Sequence, residues 1–147
     1  MNIVYLLLYA IAVVVVGFVM VKTYLEKDIM NRKVLISLTL TMICIVSYSV
    51  NFMTDNYNLM SAATSIMMVA QDFLLVTLFI YTTAFTRIRN KATKVMTIAS
   101  FALALVDSVV FIVNIFNEIA LKYSLVKCDG IYVLGYEGEL WFGIHAV

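Results

Sequence analysis

The chain contains four long stretches that have neither a basic residue nor a proline, and two of them carry no charge at all. Met1 to Val21 and Val34 to Thr54 are free of charged residues. Asn56 to Thr86 contains only Asp72, and Val95 to Asn117 contains only Asp107. Each run reaches the roughly 20 residues that an α-helix needs to span the hydrocarbon core of a bilayer. Proline is absent throughout, and four of the five glycines lie between Gly130 and Gly143, the other being Gly17. In lipid every backbone N–H and C=O must find its partner inside its own segment, so runs of this kind favour continuous helices.

The predicted spans are residues 1–21, 34–54, 60–86 and 95–117. A fifth apolar stretch begins at Leu140 and runs to Val147, which is expected to open a fifth helix. The fold class expected is an all-α membrane protein: a polytopic helical bundle forming one transmembrane domain over 1–147, with a loop over 118–139. Composition agrees, because 64% of the 147 residues are hydrophobic and only 13% are charged. A soluble domain is nearer half apolar and a quarter charged, so this chain has more apolar surface than a core of its size can hide. The first run is expected to stay uncleaved. Its first basic residue is Lys22, and the A-x-A-like triplet Ala10-Ile11-Ala12 lies inside the apolar stretch rather than after it.

Charge placement sets the expected orientation. Lys22 to Lys33 holds four basic residues, Thr54 to Asn58 none, Arg87 to Lys94 four, and Glu118 to Glu139 only Lys122 and Lys127 beside four acids. Basic residues concentrate in short cytoplasmic loops. The alternation therefore predicts an external N-terminus, with the first and third loops in the cytoplasm against anionic lipid headgroups. In the last loop, Asn117 to Lys127 is compatible with a continued helix or an interfacial segment. Gly130-Ile131-Tyr132-Val133-Leu134-Gly135-Tyr136-Glu137-Gly138 suggests a short hairpin, and Trp141 and Phe142 suit an interfacial aromatic belt.

The residues best suited to function are the two acids. Asp72 and Asp107 fall near the centres of the third and fourth spans, where a charged carboxylate costs about 2.5–3.5 kcal/mol on insertion scales. No Lys or Arg lies in any span to pair with them. Protonation, polar neighbours or a proton shared between the two carboxyls would relieve that cost. In the second span Ser37, Thr41, Cys44, Tyr48 and Asn51 follow helical spacing and form a polar stripe. Ser100, Asp107 and Asn114 form another in the fourth, and Gln71 points about 100° away from Asp72. Such stripes serve helix packing or line a small polar pocket. Asp72, Asp107 and Asn114 are the candidates for a polar core, with Asn51, Tyr48, Gln71, Trp141 and His145 as further candidate ligand-binding positions. His145 is the only histidine, and Cys44 and Cys128 do not make a disulfide framework. No catalytic, metal-binding or nucleic-acid signature occurs, so neither enzymatic activity nor a cofactor is expected of this segment.

Several of these features resemble the N-terminal seven-helix sensor region of bacterial histidine kinases and diguanylate cyclases. The resemblance is carried by the layout of helices and basic loops, and by Asp72-Phe73-Leu74-Leu75 through Phe79-Ile80-Tyr81-Thr82. Asp107-Ser108-Val109-Val110-Phe111-Ile112-Val113-Asn114 and the passage from Gly130-Ile131-Tyr132-Val133 to Leu140-Trp141-Phe142-Gly143-Ile144-His145 add to it. It implies a sensory input module in the bacterial cytoplasmic membrane, truncated here. Such a module detects an external or membrane-borne signal, pairs as a homodimer and relays to a cytoplasmic output domain. The alternatives are a small transporter or transporter subunit using Asp72 and Asp107, or a structural subunit of a membrane complex.

The orientation is directly testable. With Cys44 and Cys128 replaced by serine, a membrane-impermeant maleimide added to intact cells should label Asp55→Cys and leave Arg89→Cys unlabelled. The reverse pattern would invert the topology.

Overall fold

The computed structural model describes residues 3–25, 29–87, 90–117, 122–128 and 131–137. Four helices come first: α1 (Ile3–Leu25), α2 (Ile29–Met53), α3 (Tyr57–Phe85) and α4 (Lys91–Asn117). All four are long and apolar enough to cross a membrane. Three of them, α1, α2 and α4, extend past the run that predicts them, whereas α3 stays within Asn56 to Thr86. Lys22 lies inside α1, Arg32 and Lys33 inside α2, and α4 begins at Lys91 rather than 95. A charge ends the stretch that suits hydrocarbon, but it does not break the i→i−4 hydrogen-bond ladder, so the helices continue beyond it.

The connections are correspondingly short, and side chains fix the helix ends. Asn56 caps α3, its Oδ1 accepting from the N–H groups of Asn58 at 3.1 Å and Leu59 at 3.4 Å. Asn90 and Thr93 cap α4 reciprocally. Thr93 N–H donates to Asn90 Oδ1 at 2.8 Å, and Asn90 N–H donates to Thr93 Oγ1 at 3.2 Å. This is a capping box with threonine in the third helical position. Beyond α3, Arg87 takes a left-handed conformation with φ of 55°, which turns the chain towards α4.

Each helix packs chiefly on its neighbours in sequence, most extensively α2 on α3 and α3 on α4. Among the described residues α1 makes no comparable contact with α3 or α4, so within the helical bundle expected from sequence the helices form an antiparallel row. On α1, Gly17 sits beside Met42 of α2: a Cβ there would stand 3.7 Å from Met42 Cε. Tyr9 and Tyr48 approach with ring centroids 5.6 Å apart. No part of the α1 span is buried.

The core lies between α3 and α4 and is built on small residues. Met60 and Phe111 are fully buried, with Tyr57, Met68 and Val69 packed against them. Ser61, Ala63, Thr64, Ser65 and Ala70 of α3, and Ala104 and Ser108 of α4, are also buried. Small side chains let helix backbones approach closely, which is how helices gain contact where lipid already solvates apolar surface.

After α4 come two antiparallel strands, β1 (Lys122–Cys128) and β2 (Ile131–Glu137), in register from Lys122 opposite Glu137 to Cys128 opposite Ile131. A continued helix through Lys127 is thus excluded, and the hairpin begins eight residues earlier than the glycine-framed segment suggests. The residues between the strands are Asp129-Gly130, a pair favoured in two-residue hairpin connections. The fifth apolar stretch, 140–147, lies outside the described residues.

Packing at the small-residue seam should dominate stability. Ala70→Leu should cost about 1–3 kcal/mol through overpacking. Val109→Ala, on an exposed face of α4, should cost less than about 0.5 kcal/mol. Steric-trap unfolding in bicelles would check both.

Candidate functional site

The α2–α3 contact is stitched by polar pairs whose α2 members lie seven residues apart. Ser37 Oγ donates to Thr77 Oγ1 at 3.3 Å, Cys44 Sγ to the Met67 carbonyl at 3.8 Å, and Asn51 Nδ2 to Thr64 Oγ1 at 3.2 Å. Residue numbers rise on α2 as they fall on α3, as two antiparallel helices require. An interhelical hydrogen bond in a membrane contributes only about 0.6 kcal/mol on average. These bonds therefore set register, while close packing supplies most of the attraction. Thr41 turns its hydroxyl to its own helix, donating to the Ser37 carbonyl at 2.9 Å. Tyr48, 40% exposed, packs its ring against Tyr9 of α1. The polar stripe of α2 is thus a packing seam, with Tyr48 in contact with α1.

The two acids meet on the other side of α3. Asp72 lies at the middle of α3 and Asp107 just past the middle of α4. Together they line a cavity of about 230 Å³, with Val76 and Phe79 from α3 and Ser100 and Ala104 from α4. Helical periodicity accounts for the α4 wall: Ser100, Ala104 and Asp107 are spaced by four and three and share one face. Leu75 and Leu103, 63% and 66% exposed, flank the opening. Phe73 and Phe101 cross edge to face nearby, with centroids 5.9 Å apart. Asp107 is buried at 4% exposure, and Asp72 is partly buried with its Oδ2 sealed from solvent.

The remaining candidates separate from this cavity. Asn114 is fully buried on the same face of α4, two helical turns beyond Asp107, in the core near Phe111 and outside the acid cavity. Asn51 belongs to the α2–α3 seam through Thr64, and its Oδ1 is buried without a hydrogen bond among the described residues. Gln71, a candidate ligand-binding position in the sequence, is exposed and does not line the acid cavity. Trp141 and His145 lie outside the described residues. Sequence reasoning missed Ser61, Thr64, Ser65 and Ser108, all buried at the helix contacts. Their signal was the run of small and hydroxyl residues in Ser61-Ala62-Ala63-Thr64-Ser65.

The arrangement offers two carboxyl groups and one serine hydroxyl in an otherwise apolar chamber. Such a chamber suits proton exchange or capture of a small cation, because a positive charge offsets the cost of holding carboxylates there. Among the described residues no group of three or more potential metal ligands converges.

Taken together, four spanning-length helices with acids at mid-length have the make-up of a multi-pass membrane protein. Comparison with protein families, with curated proteins and with solved structures finds no match.

Shared occupancy of one cavity makes a direct prediction. In a double-mutant cycle, Asp72→Asn and Asp107→Asn should be non-additive by about 0.5–3 kcal/mol of stability. An effect of the double substitution equal to the sum of the two singles would show that the carboxyls act independently.

Proposed function

We propose that this chain is the membrane-embedded input module of a bacterial signalling protein, with the Asp72–Asp107 cavity as the element that responds to an external or membrane-borne signal. The observation carrying this reading is the meeting of two carboxyls from adjacent helices, at mid-length, in one apolar-walled cavity. Any change in the protonation or occupancy of that pair alters the free energy of the α3–α4 contact. A signal acts through its differential affinity for two packings of the helices. The open row suits such a response, since α3 and α4 are held mainly by small-residue contacts along one seam. By its resemblance to seven-helix sensor regions, the module would lie in the cytoplasmic membrane with its N-terminus outside. It would act as a homodimer and pass the change to a kinase or cyclase domain in the cytoplasm.

Transport is the second reading, and the mid-length acids favour it. Against it stands the continuity of the helices. Transporter sites are commonly formed where spanning helices are broken, whereas α3 and α4 run unbroken through Asp72 and Asp107.

One reconstitution distinguishes the two. The chain is placed in proteoliposomes with a trapped pH dye, and spin labels on α3 and α4 report their separation across a pH series. The sensor reading expects a separation that changes with protonation, loses that change in the Asp72→Asn/Asp107→Asn variant, and is accompanied by no proton flux. Sustained flux that the variant abolishes would reassign the chain to transport. Neither movement nor flux would leave the polar seams as assembly surfaces and sink both readings.

A further inference from the structure

A second cavity, of about 500 Å³, lies where α2 and α4 begin and α3 ends. It is lined by Lys33 from α2, Ile80, Thr83 and Ala84 from α3, and Lys91 and Lys94 from α4, among others. Its position is the opposite of what helix electrostatics favours for cations. The N-terminal end of a helix carries about half a positive charge and is stabilised by acidic residues. Here neither α2 nor α4 has an acid in its first turn. Lys91 and Lys94 occupy the first turn of α4, and Lys33 the second turn of α2.

The beginning of α4 and three ammonium groups, one of them from α2, therefore meet at one chamber, and among the described residues none that lines it is acidic. The hydroxyls of the lining do not relieve this. Thr83 donates its proton to the Ile80 carbonyl at 3.0 Å, Thr93 to the Asn90 carbonyl at 2.9 Å, and Thr97 to the Thr93 carbonyl at 2.8 Å. The cationic donors of the lining are the lysine ammonium groups, which grip an anion as point charges. Ile80 and Ala84 supply an apolar wall on the side that continues into the spanning part of α3.

We infer that this chamber is a binding site for the phosphate of an anionic lipid headgroup, held by Lys33, Lys91 and Lys94 with the acyl chains continuing along α3. The site lies at the ends of three spanning-length helices, which is the depth at which lipid phosphates sit. It is cationic at its polar end and apolar towards the span. The inference is independent of the acid cavity and of the signalling reading, and requires only that the helices lie in a bilayer.

The test uses the full chain in nanodiscs of phosphatidylcholine, with and without phosphatidylglycerol. Retained lipid is measured by native mass spectrometry. The wild type should retain phosphatidylglycerol in preference to phosphatidylcholine, and each of Lys33→Gln, Lys91→Gln and Lys94→Gln should weaken that preference by about fivefold. Lys22→Gln, Arg32→Gln and Arg87→Gln remove the same charge from residues that do not line the chamber and should leave the preference unchanged. The variant with arginine at all three lysine positions should retain lipid and serves as the check on folding. Equal losses in the lining and control variants would reduce the effect to general surface charge and overturn the site. Displacement of the lipid by inorganic phosphate at millimolar concentration would reassign the chamber to a free anion. No preference in the wild type would end the proposal.

Discussion

In hydrocarbon a backbone amide can bond only to its own helix or to protein packed against it, and the rest of this structure depends on that constraint. It demands four uninterrupted helices, and a chain without proline supplies them. It also shifts the task of association from the hydrophobic effect to close contact, because lipid tails solvate leucine as well as another helix does. The buried positions follow. Serine, alanine and threonine crowd the α3 surface, and among the described residues only Met60 and Phe111 are large apolar side chains that are fully enclosed. The many exposed valines, leucines and isoleucines of α1 and α4 are then the outer surface of a protein whose solvent is apolar.

The same constraint gives the polar groups their two distinct roles. Along α2–α3, hydroxyl, thiol and amide groups spaced by seven on α2 bond to α3 and fix the register of antiparallel helices. Between α3 and α4 the polar groups include two carboxyls, whose charge depends on their surroundings, and they line one cavity. A seam made only for packing would be cheaper with serine at those positions. The cost of placing two acids at mid-length is what marks α3–α4, rather than α2–α3, as the responsive contact. At the far end of the row, lysines gather at the beginnings of α2 and α4, so the two functional proposals occupy different depths of the same helix array.

How much was legible in the sequence can be argued residue by residue. The helices and their order were read from charge-free runs, but their ends were not, since Lys22, Arg32 and Lys91 interrupt hydropathy without interrupting hydrogen bonding. Gln71 was grouped with the candidate ligand-binding positions, yet it is exposed and outside the cavity that Asp72 lines. Tyr48 was placed with the polar stripe by spacing, yet it faces Tyr9, because a residue at the edge of a helical face can turn to either neighbour. The hairpin was anticipated from its glycine-framed strand, while its first strand, Lys122–Cys128, resembled an extension of the preceding helix.

The sequence by itself therefore determined the number, order and lipid-compatible character of the spanning helices, and the depth of the two acids within them. Those properties depend on one-dimensional quantities: run length, charge and the lack of helix breakers. Only the tertiary structure decided that α1 to α4 form an open row, that Asp72 and Asp107 share a cavity while Asn114 and Asn51 do not, and that three lysines from two helices face one chamber. These facts depend on the rotation of each helix about its axis and on which neighbour it meets. Nearly uniform apolar helices carry little sequence signal for either, so close packing between small residues settles them.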